Sequence, residues 1–153
     1  MSAAGAIAFE TQRLLLRPLG DGDETFYCDI YGDAEILRHV GPPLTPERAR
    51  RSFVAALRHT RAQAPREMFG VLARRGDGAR FGLCGLRAID LAARRAEAGI
   101  LLAAPARGLG LAAEALGGLV ARAFATLPLE EIYLDYAPQN AAMARLAHRV
   151  GFT

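Results

Sequence analysis

Apolar residues recur at a spacing of two along some stretches of this chain and near 3.6 along others, and the switches between the two periods mark its elements. Residues 11–19 form a short apolar segment closed by Pro18 and Gly20, which predicts a first strand. Asp21 or Asp23 then caps a helix over about 24–31, with Phe26, Tyr27 and Ile30 on one face. Gly41, Pro42 and Pro43 break the chain. Thr45, Pro46 and Glu47 restart it as a cap with proline at the first helical position, and this second helix runs to about Gln63. Ala49, Phe53, Ala56 and Leu57 are its buried stripe, and Arg48, Arg51, Arg58 and Arg61 face water.

The next two apolar runs, 68–73 and 81–89, read as strands joined by a glycine-rich hairpin at 75–78. Gly82 and Gly85 inside the second run predict a bulge or the close passage of another group. A third strand over 94–102 leads into a loop, and helical spacing resumes at Ala112, Ala115, Leu116, Leu119, Val120, Ala123 and Phe124. A further strand over 131–137 makes the connection from 94–102 a parallel βαβ unit. Asn140 opens a last helix with Met143, Leu146, Ala147 and Val150 inward, stopped by Gly151. The expectation is an α/β (α+β) fold: a mixed, mainly antiparallel central sheet with flanking helices and one parallel βαβ unit. A tail over 1–10 precedes a single domain over 11–153.

With 153 residues and 52% hydrophobic content, the chain is long enough for one compact domain with its own core. All 19 basic residues are arginine. They are scattered among acids and turns, without the long basic run or interleaved aromatics of a nucleic-acid surface, and no nucleic-acid partner is expected. A net charge of +3 still suits an anionic ligand. Cys28 and Cys84 lie far apart without partners at metal-ligand spacing, which argues against a disulfide framework or a metal site. No stretch approaches the ~20 apolar residues of a membrane span, and a cytoplasmic protein is expected.

The loop from Pro105 to Ala115 carries the most chemistry. It sets Arg107, Gly108 and Gly110 between an apolar strand and a helix start, where unpaired backbone N–H groups and the positive helix end converge on an anion. The pattern Arg-x-x-Gly-x-Gly/Ala fits Arg107, Gly110 and Ala112, but roughly one match is expected by chance in so Arg-, Gly- and Ala-rich a chain. A second match does occur at Arg17, Gly20 and Gly22, where Asp21, Asp23 and Glu24 would repel a phosphate. A P-loop is excluded, because no Gly-Lys-Ser/Thr follows and the chain has no lysine. A dinucleotide fingerprint fits poorly, since helices and an antiparallel meander come before the loop. A CoA fits better: its pyrophosphate needs backbone donors and Arg107, and its pantetheine arm can lie along an adjacent strand.

Four segments in order complete a resemblance to a known family: TQRLLLRP from Thr11, AEAGI from Ala96, Arg107 to Ala112 with Glu114-Ala115-Leu116, and PQN from Pro138 through to Gly151-Phe152. The chain resembles the GNAT acyltransferases, and within them the group similar to ribosomal-protein-alanine N-acetyltransferases. The resemblance implies acetyl-CoA as cosubstrate, no metal, and transfer of an acetyl group to a primary amine, a small molecule or a peptide or protein N-terminus. It places the cofactor in the splay between the strands at 94–102 and 131–137. The pyrophosphate then sits on Arg107, Gly108, Leu109, Gly110, Leu111 and Ala112, the pantetheine runs along Ile100, Leu101 and Leu102, and Asn140 helps hold the arm.

Direct attack by an amine requires its deprotonation, and by resemblance Glu97 is the base candidate. The competing reading is an exposed carboxylate paired with Arg94 or Arg95. Glu114, in the first turn of its helix, reads as a dipole-favoured cap. Two departures from the family pattern stand out. Met143 and Ala147 occupy the last-helix positions where relatives carry a serine or a thiolate-protonating tyrosine, and neither can donate a proton. His148 is turned about 100° away, and His39 is a substrate-side candidate. The chain also stops at Thr153, where family members continue with two more strands, so the domain reads as truncated at its C-terminal end. An apolar edge at 132–136 would then invite pairing with a second copy as a homodimer. The alternative function is a catalytically impaired CoA-binding or regulatory module.

Overall fold

The computed structural model describes residues 3–153. Its sheet has six strands in the order β1-β2-β3-β4-β5-β6: Phe9–Glu10, Leu14–Pro18, Met68–Arg74, Arg80–Asp90, Arg95–Leu102 and Glu131–Tyr133. Strands β1 to β5 pair antiparallel, and β6 alone pairs parallel, with β5. The helices are α1 (Glu24–Tyr31), α2 (Pro46–Arg61), α3 (Leu111–Thr126) and α4 (Ala141–Val150). The expected fold class is what forms, with β5-α3-β6 as its parallel unit.

Side chains alternate across the strands and build a core on each face of the sheet. On one face Leu14, Leu16, Leu72, Cys84, Leu86, Ala96 and Ala98 meet Leu116 and Leu119 of α3. On the other, Val71 and Leu83 meet Tyr27 and Ile30 of α1 and Phe53 of α2. The Thr45 hydroxyl accepts from the Arg48 N–H as the expected cap of α2, with Pro46 at its first position.

Two expectations are corrected. Within the expected tail, Met1 and Ser2 lie outside the described residues, but Ile7 is fully buried in the larger core and Phe9–Glu10 adds β1 to the sheet. The last strand is shorter than 131–137. Its pairing with β5 ends at Glu97 opposite Tyr133, and beyond that the two strands part. The expectation that acids keep a phosphate out of the loop at Arg17–Gly22 agrees with its geometry, because one of those acids fills it. Asp23 takes both Arg17 amino groups at 2.8 Å, the Gly20 N–H at 2.8 Å and the Arg80 Nε at 3.0 Å.

The glycine in the middle of β4 has a steric reason. A Cβ at Gly85 would collide with the Met68 carbonyl and the Phe69 Cα, so β3 and β4 can lie together only without a side chain there. Gly82 is equally confined, with the Leu101 carbonyl 2.7 Å from where its Cβ would stand. The ladder irregularity in this pair falls beside it, at Leu72/Ala73.

Candidate active site

The parting of β5 and β6 opens the molecule. Strand β5 runs on to Leu102 after its last pair with β6, so the backbone groups on that side of Ala98 to Leu102 are not taken by a neighbouring strand. A cavity of about 470 Å³ fills the gap, lined by Gly85 and Arg87 of β4, Ala98 to Leu101 of β5, Leu134 to Pro138, Asn140 and Met143. Tyr31 and His39 close it on the α1 side.

A second cavity of about 540 Å³ shares Ile100, Leu101, Asn140 and Met143 with the first and reaches Arg107 and Gly108. A third, of about 350 Å³, continues over Gly108, Gly110, Leu111 and Ala112 to Arg145 and Arg149. The three form one trough, from the middle of the sheet to the N-terminus of α3.

At the α3 end the loop has the form an anion needs. Gly108 and Gly110 have φ of +77° and +74°, a left-handed backbone that costs an L side chain about 1–2 kcal/mol. Among the described residues no backbone carbonyl takes the N–H groups of Gly108 to Ala113. Those free donors at a helix N-terminus, with Arg107 alongside, suit a diphosphate.

The loop is held from behind. Glu114 accepts from the Thr11 hydroxyl, from the Arg13 N–H at 3.0 Å and from Arg13 Nε at 2.7 Å, and Arg13 also donates to the Leu109 carbonyl at 2.8 Å. The expected dipole role of Glu114 is thus joined by a tie across the sheet. Burial alone raises its carboxyl, and the bonds from Thr11 and Arg13 outweigh that and hold it below the usual range.

Asn140 does two jobs. Its Oδ1 caps α4 by accepting the Met143 N–H at 3.0 Å, and its residue lines both cavities. Arg145 and Arg149 were not legible as site residues in the sequence. Their spacing of four on the helix following Asn140 is the signal that puts both on one face beside the glycine loop.

Glu97 stands apart from the other candidates. Its partner is neither Arg94 nor Arg95, which bond Glu130 and Glu131. Instead Arg87, directly across the β4–β5 ladder, donates Nε to Glu97 Oε2 at 2.6 Å. Glu97 is 8% exposed and does not line the cavity, whereas Arg87 does. Met143 lines the cavity, Ala147 is buried beneath α4, and His148 borders a separate groove beside β6. The hydroxyl-bearing residues of the cavity are Tyr31 and Tyr136. Burial pushes the Tyr31 phenol up, which keeps its proton in place as a donor.

A curled mixed sheet whose parallel pair splays beside an amide cradle is the architecture of one family, and the sequence matches that family, the acetyltransferase (GNAT) domain, over residues 13–153. The chain belongs to the GNAT acetyltransferases. A relative from Bacillus licheniformis, named as an uncharacterized N-acetyltransferase p20, is 27% identical over 143 residues, covering 93% of this chain and 80% of its own length. The spermidine N-acetyltransferase of Vibrio cholerae, solved with CoA and spermine, superposes with a TM-score of 0.82 at 23% identity over 94% of this chain and 82% of its own. RimL, a ribosomal L7/L12 alpha-N-protein acetyltransferase solved with CoA, gives 0.82 at 17% identity over 95% and 84%. The chain is an acetyl-CoA-dependent N-acetyltransferase by family, and the described residues hold no cluster able to bind a metal ion. Among them no helix is long and apolar enough to cross a membrane.

Proposed function

We propose that the acceptor of this GNAT acetyltransferase is the free α-amine at the N-terminus of a peptide or protein. The observation that carries this reading is the set of ionisable groups around the central cavity: His39, Asp135, the phenols of Tyr31 and Tyr136, the buried thiol of Cys84, and an Arg87 already bonded to Glu97. None of these residue types is ordinarily a strong base. Attack needs a neutral amine, and reference values are roughly 8 for an α-amine against roughly 10.4 for a lysine-type amine. Near neutral pH an α-amine is therefore on the order of a hundredfold richer in the reactive form. A site with only weak bases favours the acceptor that has already lost its proton. Both kinds of acceptor occur among proteins of this fold, since the Vibrio cholerae enzyme is solved with spermine and RimL acts on a ribosomal protein's α-amine, so the choice rests on chemistry.

In this reading Arg107 and the amides of Gly108 to Ala112 hold the pyrophosphate of acetyl-CoA, Arg145 and Arg149 add positive charge beside it, and the open edge of Ile100 to Leu102 with Asn140 holds the pantetheine. The bound cosubstrate supplies the acetyl thioester at the cavity. Tyr31 and Tyr136 are the hydroxyl donors available to the departing sulfur where Met143 can give none. Glu97 acts through Arg87, fixing that guanidinium at the cavity wall.

Calorimetry with acetyl-CoA, followed by thiol release over peptides with free and blocked N-termini, spermidine and lysine, tests this reading. Turnover confined to free N-termini is expected. Turnover of spermidine over peptides would replace the acceptor, and tight acetyl-CoA binding with no turnover would favour a CoA-binding module instead.

A further inference from the structure

We infer that Arg87 selects the acceptor, by donating from its free Nη1 to the carbonyl oxygen that stands one carbon away from an α-amine. This rests on the α-amine reading above, and it names the feature that a peptide N-terminus has and a polyamine or lysine side chain lacks. The guanidinium is held for such a task. Its Nε donates to Glu97 Oε2 at 2.6 Å and its Nη2 lies 2.5 Å from the same oxygen, while Nη1 donates to nothing among the described residues. Arg87 is half-exposed and lines the central cavity, with the nearly buried Glu97 behind it.

The register leaves room beside it. Arg87 pairs with Glu97, Gly85 with Gly99 and Leu83 with Leu101, so the three pairs follow one another along one face of the sheet. That face is the one on which Leu83 and Leu101 pack with Tyr27 and Ile30 of α1. The middle pair puts no side chain there, and no atom lies within 4 Å of where a Cβ at Gly99 would be. One step along the strand from Glu97 to Gly99 is about 7 Å. Tyr31, at the end of α1, walls the same space, and its phenol, raised by burial, feels the opposing pull of the Arg87 charge. A floor of bare backbone thus lies between the guanidinium and the open edge of β5. The first residue of a peptide fits over it with its amine toward the splay and its carbonyl toward Arg87.

The chemistry agrees with an acceptor that arrives neutral. Arginine stays protonated and offers only donors, so Arg87 cannot take the amine's proton and can meet only an oxygen. A polyamine brings no such oxygen, and its further ammonium groups would be repelled by the guanidinium. A charged donor to a carbonyl is worth about tenfold or more in affinity, enough to rank the two acceptor classes.

The test titrates two probes into the CoA-loaded protein and reads binding from NMR chemical shifts. One probe is alanyl-alanine amide; the other is its isostere with a trans carbon–carbon double bond in place of the first peptide unit. Each probe is compared between wild type and variant, so that the different basicity of the two amines cancels. The preference for the dipeptide over the isostere should fall about tenfold in Arg87→Met. It should fall also in Arg87→Lys, which keeps a charge beside Glu97 and so guards against a folding defect, because one ammonium does not reproduce the guanidinium fork. A preference as large in both variants as in wild type overturns the inference, and so does wild-type protein that binds neither probe. Thiol release is read separately with the dipeptide and with spermidine. Turnover of spermidine alone sinks the α-amine reading itself, whereas dipeptide turnover with an unchanged preference sinks Arg87 alone.

Discussion

Arg13 and Glu114, 101 positions apart in sequence, are joined by two hydrogen bonds, from the Arg13 N–H at 3.0 Å and from its Nε at 2.7 Å. The same guanidinium reaches the Leu109 carbonyl inside the glycine loop at 2.8 Å. The start of the domain and the glycine loop are thereby one mechanical unit. Glu114→Gln and Arg13→Met should each weaken acetyl-CoA binding several-fold by loosening the loop, with no contact to the ligand. The double variant should be no worse than the more affected single one, since both remove a single tie. Additive losses in calorimetry would mean the residues act independently.

Gly108 and Gly110 separate backbone conformation from charge. No atom lies within 4 Å of a Cβ at Gly108, so Gly108→Ala carries only the penalty of its +77° φ, about 1–2 kcal/mol. At Gly110 a Cβ stands 3.6 Å from Arg13 Nη2, and an aspartate there also sets a negative charge in the amide cradle. Acetyl-CoA affinity should fall modestly in Gly108→Ala and far more in Gly110→Asp, while the melting temperature falls by a similar few degrees in both. Unchanged affinity in G110D would remove the pyrophosphate from this loop.

The sequence pattern was readable where neighbours in sequence decide the outcome. Thr45-Pro46 starts α2, Asn140 starts α4, and Gly85 anticipates the close passage of β3, because caps and steric gaps are local. The amide cradle at 107–112 was legible for the same reason. Arg87 with Glu97, Arg13 with Glu114 and the cage around Asp23 were not, since each joins residues on different strands or helices and depends on register. The shortness of β6 was hidden as well. Alternation over 131–137 reports which side chains are buried, and it carries no record that β5 and β6 separate after Tyr133.

Asp23 makes stability depend on pH in a definite direction. Its side chain is 2% exposed, and burial alone would raise its carboxyl; the bonds from Arg17, Gly20 and Arg80 outweigh that and hold it below the ordinary 3.8. A carboxyl lowered in the folded state stabilises fully above its unfolded value, and that stabilisation disappears as pH falls through the lower folded value. Urea unfolding of wild type should therefore weaken below about pH 4. Asp23→Asn should lose about 2 kcal/mol at pH 7 and flatten that acid limb. An acid limb unchanged in D23N would assign it to other carboxylates.

Glu97 and Arg87 separate a base from a positioning residue. If Glu97 removed the amine proton, Glu97→Gln would abolish turnover over the pH range where the carboxylate is ionised and erase the acidic limb of the kcat/KM profile. The structure gives it a different neighbourhood: 8% exposed, outside the cavity lining, with Arg87 between it and the open space. Glutamine keeps the shape and one acceptor for Arg87 Nε but gives up the charge, so the guanidinium should be held less firmly. E97Q is expected to lower kcat about tenfold, leave acetyl-CoA affinity unchanged, and keep the pH profile of wild type in shape. Arg87→Met should produce the same loss, and the two together no more than either. Loss of the acidic limb in E97Q alone would return Glu97 to the role of base and require a water chain past Arg87.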